Sequence, residues 1–331
     1  MALRLVEAFV PERVAEDAEE TLRSAGAYAV WAEGAAPGEA VLRAVLGASR
    51  SGVALDALHE RFHGIETFRV LVLPLEGALP RPRAGGAPEE RQAARSAAGV
   101  SREEIYAKIS EGAVLDWDFV WMALLSTIVA AVGLVTDNAP AVIGAMVVAP
   151  LLGPNVALAL GLTLADRELT RAAVRSNVTG FALAFGASFL LGVLFHVDPT
   201  IPEMASRTHV GLLDLVLALA AGCAGALAYT TGAPTYLIGV MVAVAILPPT
   251  VASGLLLGDG HGHDGLGALV LALANVTAVN LVSMATLMAK GMRPRTWWRA
   301  ERARDSARRG LLGWLGLLLL LAAALLLSQR V

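Results

Sequence analysis

From residue 118 onward the chain is a series of apolar runs, near 118–135, 140–164, 173–196, 211–229, 236–257, 266–289 and 310–327. Coiled as a helix, each is long enough to cross about 30 Å of hydrocarbon. Lipid offers no partners to backbone N–H and C=O groups, so such runs must satisfy them internally as helices. Hydrophobic residues make up 56% of the chain and charged residues 17%, with a mean hydropathy of +0.62. That lies outside the range of ordinary soluble domains. The sequence therefore predicts a polytopic α-helical membrane domain with seven spans.

Most charged residues precede position 117 or fall in two short later clusters. With a cytoplasmic N-terminus, the inner loops would be 165–172, 230–235 and 290–309. The first carries Arg167 and Arg171, with Arg175 just beyond, and the last carries Lys290 and seven arginines, Arg293 to Arg309. Arg207 is the exception among the outer loops. This asymmetry follows the positive-inside rule, and the first twenty residues lack the basic and apolar pattern of a secretory signal. The expectation is a multi-pass protein of the cell inner (cytoplasmic) membrane with its N-terminus in the cytoplasm. Residues 291–309, with Trp297 and Trp298 beside the arginines, read as a basic interfacial helix ahead of a C-terminal span in 310–331. The net charge of -3 gives no basis for a nucleic-acid partner. The lone Cys223 cannot form an internal disulfide.

Residues 1–78 read as a small cytoplasmic domain. Short β-rich runs at 3–9, 27–32, 41–47 and 67–73 flank two helical stretches, one placing Val14, Ala18 and Leu22 on a face and the other Leu55, Leu58 and Phe62. The order βαββαβ predicts a ferredoxin-like α+β fold. His59 and His63 share a helix face, yet no Cys or carboxylate cluster completes a metal site, and two solvated side chains explain them better. Residues 79–114 form a Pro- and Gly-rich linker and a connecting helix, which Ser101 and Glu104 open as a capping box.

The transmembrane domain, 115–290, contains an internal repeat. IGAMVVAPLLGPNVA (143–157) aligns without gaps on IGVMVAVAILPPTVA (238–252) with eight identities in fifteen positions. SNVTG (176–180) matches ANVTA (274–278), and DFV (118–120) matches DLV (214–216). Each copy, about 118–196 and 211–289, holds three helices. Three is odd, so the second copy enters the membrane in the opposite direction and the two are inverted repeats.

Prolines interrupt the middle helix of each copy: Pro150, Gly153 and Pro154 in the first, Pro248 and Pro249 in the second. Proline lacks an N–H and clashes with the preceding turn, so both helices are expected to break near mid-bilayer. Freed backbone groups there suit either a substrate pathway or two packed structural kinks. Asn155 and Thr250 occupy matching positions just after the breaks. Asn177 and Thr179, with their counterparts Asn275 and Thr277, stand on the third helices, where amides and hydroxyls serve equally as interhelical glue. Asp118 and Asp214 sit at helix starts and read as caps. No carboxylate, Lys or Arg falls in mid-span, which argues against a buried proton relay. In GDGHGHDG (258–265), His261 and His263 with Asp259 and Asp264 could hold a divalent metal or form a glycine-rich turn.

The runs TDNAPAVIGAMVVAPLLGPNVALALGLTLAD, GVMVAVAILPPTVASGLLLG and LALANVTAVNL resemble the bacterial and archaeal hydrophobic family known as domain of unknown function 389. FRVLVLPLEGALP and SREEIYAKI are similar to that family's usual N-terminal region. The resemblance implies a membrane protein with a cytoplasmic N-terminal domain and names no activity.

The expected function is a transporter or channel for a small ion or polar solute, in contact with the lipid bilayer and needing no cofactor. The second reading is a membrane-embedded sensor or assembly scaffold regulated by the cytoplasmic domain. An enzyme is not expected, since no Ser-His, HExxH or paired-Asp pattern falls in the spans. No phosphate-binding loop is present either. The small-residue run ALAAGCAGALA (217–227) is compatible with close helix contacts inside one chain or between copies in a homo-oligomer.

Overall fold

A computed structural model describes residues 3–36, 38–75, 102–208, 211–231, 235–292 and 297–328, in two compact units, Met1–Ile105 and Tyr106–Val331. In the first unit, strands β1 (Leu3–Pro11), β2 (Ala29–Ala36), β3 (Glu39–Gly47) and β4 (Arg69–Leu75) form an antiparallel sheet in the order β2-β3-β1-β4. Burial of one face fixes the register, because a slip by one residue would turn the buried set of side chains to the other face. Val6 pairs with Ala44 and Ala8 with Leu42, and all four are fully buried under helices α1 (Ala15–Ser24) and α2 (Ala48–Phe62). A 3-10 turn, Glu12–Val14, follows Pro11 and leads into α1. On the opposite parity, Arg43 bridges Glu7 of β1 at 2.7 Å and Glu33 of β2 at 2.5 Å. Arg4, on the inner parity of β1 and 8% exposed, pairs at 2.8 Å with Glu104 in the first turn of α3 (Arg102–Glu111). Ser101, the expected capping partner, and the linker at 79–101 lie outside the described residues.

The second unit is helical: α4 (Trp117–Val135), α5 (Ala139–Val148), α6 (Leu152–Leu164), α7 (Arg167–Leu194), the short α8 (Pro202–Ala205), α9 (Leu212–Thr231), α10 (Thr235–Gly258), α11 (Gly262–Ala289) and α12 (Trp297–Ser328). Caps fix several helix starts. Asp116 accepts from Phe119 N at 2.7 Å, so the cap of α4 is Asp116 rather than Asp118. Asp214 accepts from Gly211 N at 2.9 Å, as expected of a carboxylate in the third helical position. Asp166 caps α7 through Glu168 N and Leu169 N and also receives the Tyr106 hydroxyl at 2.7 Å.

Two expectations are corrected. The second middle helix does not break: α10 runs unbroken from Thr235 to Gly258 with Pro248 and Pro249 inside it. The basic segment and the C-terminal span are also one helix, α12, because nothing between Trp297 and Leu327 removes a backbone donor. The first middle helix breaks as expected, into α5 and α6, which are bent by 49°.

Small residues set the closest crossings. A Cβ on Gly192 of α7 would run into the Leu255 carbonyl of α10, and one on Gly258 would meet the Phe189 carbonyl of α7. Gly254 and Gly258 form a GxxxG pair, and Ser188 and Gly192 answer it across the contact. On α4, by contrast, Trp117, Trp121, Leu125, Ile128 and Val132 are exposed along one side. Apolar stripes of that size mark contact with lipid or a partner.

Candidate functional site

The break between α5 and α6 arises from covalent chemistry. Pro150 has no N–H for the Met146 carbonyl, and Pro154 has none for the Pro150 carbonyl, so two successive turns lose a bond. Ala149 adopts an extended backbone (ψ 122°), which ends α5. Pro150 is half-buried, and Leu151, Leu152 and Pro154 are buried. Gly153 is required by packing: a Cβ there would lie 2.8 Å from the α-carbon of Gly112. The break stands toward the start of α4, since Leu151 and Phe119, from the first turn of α4, both face the bare side of Gly180 on α7.

In the second copy, Pro249 likewise removes the donor for the Ala245 carbonyl. Here the Asn275 side chain of α11 supplies it, Nδ2 to O at 2.7 Å. This explains why α10 continues where α5 stops: the prolines are adjacent, and a neighbouring amide replaces a missing N–H. Asn177, the counterpart of Asn275, instead donates to Ala173 O in its own helix at 3.1 Å. The two copies therefore use one conserved spacing of residues in two ways.

Asn155 and Thr250 make the same bond at matching positions, back to Leu151 O at 2.7 Å and to Ile246 O at 2.8 Å. Thr277 is buried and donates to Leu273 O, whereas Thr179 is only half-buried on α7. The residue that sequence comparison missed is Asn280. It is fully buried and donates to Asn155 Oδ1 at 2.7 Å, joining α11 to α6 across 125 positions. Its position in the first copy holds Ala182, so no repeat signal marks it. Around these groups, the Oδ1 atoms of Asn177, Asn275 and Asn280 are buried without a hydrogen-bond donor. In each case Nδ2 faces a carbonyl oxygen, so the orphaned atom is the oxygen.

The glycine-rich turn after α10 behaves differently from a metal centre. Asp259 Oδ2 accepts from Val197 N at 2.9 Å and lies 3.0 Å from His196 Nδ1 and 3.3 Å from His261 Nε2. His263 turns instead to Asp264 at 3.6 Å. His261 and His263 are thus not brought together, and among the described residues no group of three or more His, Cys, Asp or Glu could hold a metal ion. The bond from Val197 N–H, with His196 and His261 adding in the same sense, holds the Asp259 carboxyl below its ordinary range.

Among the described residues four helices are long and apolar enough to cross a membrane, and the bent α5 and α6 pair would make a fifth. Such a unit, with exposed apolar side chains and buried amides, fits a membrane protein. The chain belongs to the family of the domain of unknown function DUF389, whose profile matches residues 146–281, a stretch that holds Asn155, Asn177, Asn275 and Asn280. An uncharacterised protein of Methanocaldococcus jannaschii is 31% identical over 318 residues, covering 96% of this chain and 97% of that relative. The resemblance read from the motifs is borne out. No solved structure matches the chain.

Proposed function

We propose that this protein is a membrane transporter or channel for a small ion or polar solute, with the pathway at the interface of two inverted three-helix repeats. The observation that carries the reading is a set of buried amides in the helical unit: Asn155 and Asn280, bonded to each other, with Asn177 and Asn275, of which Asn177, Asn275 and Asn280 keep an Oδ1 without a donor. Unsatisfied polar groups are costly away from water, so they persist where they serve a site. Packing supports the inverted arrangement. The middle helix of each copy lies against the third helix of the other, α10 on α7 and α6 on α11.

In this reading the protein spans the inner membrane with its N-terminus in the cytoplasm. The N-terminal sheet, with order β2-β3-β1-β4 and both helices on one face, is ferredoxin-like and regulates or anchors the membrane part. The protein is not an enzyme. The test is flux of ions and small polar solutes into liposomes holding the purified full chain, wild type against Asn177→Ala with Asn275→Ala. Flux that falls in the double variant supports the reading; folded wild-type protein that passes no solute overturns it and leaves a sensor or scaffold.

A further inference from the structure

We propose that the break between α5 and α6 binds a monovalent cation through oxygen atoms alone. This rests on the transport reading and names its substrate class. Two main-chain oxygens at the break, those of Met146 and Pro150, lack the N–H four residues on, because positions 150 and 154 are prolines. The neighbouring helix α7 offers a side-chain oxygen. Asn177 lies one turn from Gly180 on α7, and a Cβ on Gly180 would be 3.2 Å from Leu151 Cδ2, so this face of α7 fronts the break. Asn177 is 8% exposed, its Nδ2 is committed to Ala173 O, and its Oδ1 has no donor.

The second copy shows what closes such a gap. Ala245, which matches Pro150, has its carbonyl filled by Asn275 Nδ2 at 2.7 Å, and the helix there is continuous. The first copy keeps the acceptors and withholds the donor. Polarity agrees with a cation: the carbonyl end of α5 carries the negative end of its dipole, while the first turn of α6 abuts the Gly112 carbonyl at Gly153. No Asp or Glu is buried among the described residues of this unit. Divalent ions draw on carboxylates, whereas neutral carbonyl oxygens suit Na⁺ or K⁺.

The experiment is thermal unfolding of the purified full chain in NaCl, KCl or N-methyl-D-glucamine chloride at equal ionic strength. A bound ion raises Tm saturably, by about 5 °C at a hundredfold excess over Kd. We expect a rise in Na⁺ or K⁺ that is lost in Asn177→Ala and kept in Asn275→Ala. No cation-specific rise in the wild type, a rise that survives Asn177→Ala, or one lost equally in Asn275→Ala overturns the site. Solute flux without any cation-specific rise defeats this inference and leaves the transport reading standing. A cation-specific rise without flux does the reverse.

Discussion

Asn275 donates to the Ala245 carbonyl at 2.7 Å, the acceptor that Pro249 deprives of its helical partner. The pair makes a reciprocal prediction. Asn275→Ala leaves that carbonyl bare and should lower stability by about 1–3 kcal/mol. With Pro249→Ala the backbone N–H returns, so Asn275→Ala in that background should cost less. Unfolding of the four proteins in detergent gives the coupling, and costs that simply add would show that the amide is not a substitute for the N–H.

Asn155 and Asn280 join α6 to α11 through one side-chain bond at 2.7 Å, both ends fully buried. Replacing either with Leu removes the bond and strands the other amide. A double-mutant cycle on Asn155→Leu and Asn280→Leu should therefore return a coupling of about 0.6–1.7 kcal/mol, the usual range for interhelical hydrogen bonds in membranes. Single changes that are each silent in the unfolding measurement would contradict the pairing.

Gly192 and Gly144 are both helical glycines in apolar surroundings, and they should respond oppositely. A Cβ at Gly192 collides with the Leu255 carbonyl, whereas one at Gly144 meets nothing within 4 Å. Gly192→Ala is expected to cost about 1–3 kcal/mol through overpacking. Gly144→Ala should be neutral or stabilise by up to about 1 kcal/mol, since it removes glycine's backbone freedom. Yield and Tm of the two variants, prepared side by side, decide the matter.

The repeat made Asn155, Asn177, Thr250 and Asn275 legible, because a polar side chain recurring at one spacing in an apolar run stands out. Asn280 was hidden by the same logic: its counterpart is Ala182, and a residue present in one copy leaves no periodic trace. The prolines interrupt the middle helix of both copies in the sequence and behave differently in the structure. Pro150 and Pro154 remove donors on successive turns and break the helix. Pro248 and Pro249 are adjacent, and a tertiary bond from Asn275 covers one of the gaps, which local sequence cannot display. The strands are legible as short β-rich runs such as LRLVEAF at 3–9; which face is buried is not, because Leu5 and Phe9 lie on the less buried face with Glu7, opposite Val6, Ala8 and Val10. The continuity of α12 is not legible, because the change from basic to apolar composition at 309–310 falls inside one helix.

Asp259 ties the turn after α10 to the segment after α7 by its bond to Val197 N at 2.9 Å, beside His196 and His261. Its carboxyl titrates below the ordinary value of 3.8, chiefly because of that backbone N–H, and the nearby Asp198 is lowered as well by its own bonds to Thr200. A depressed carboxylate pKa contributes stability above the unfolded value and loses it as pH falls through the folded one. Asp259→Asn should accordingly lower Tm at neutral pH, and the gap from wild type should close only when the pH drops below about 3.8, the ordinary carboxyl value. Tm measured on both proteins between neutral pH and the acid limit of the folded state checks this. Equal Tm for the two proteins at neutral pH would overturn the tie.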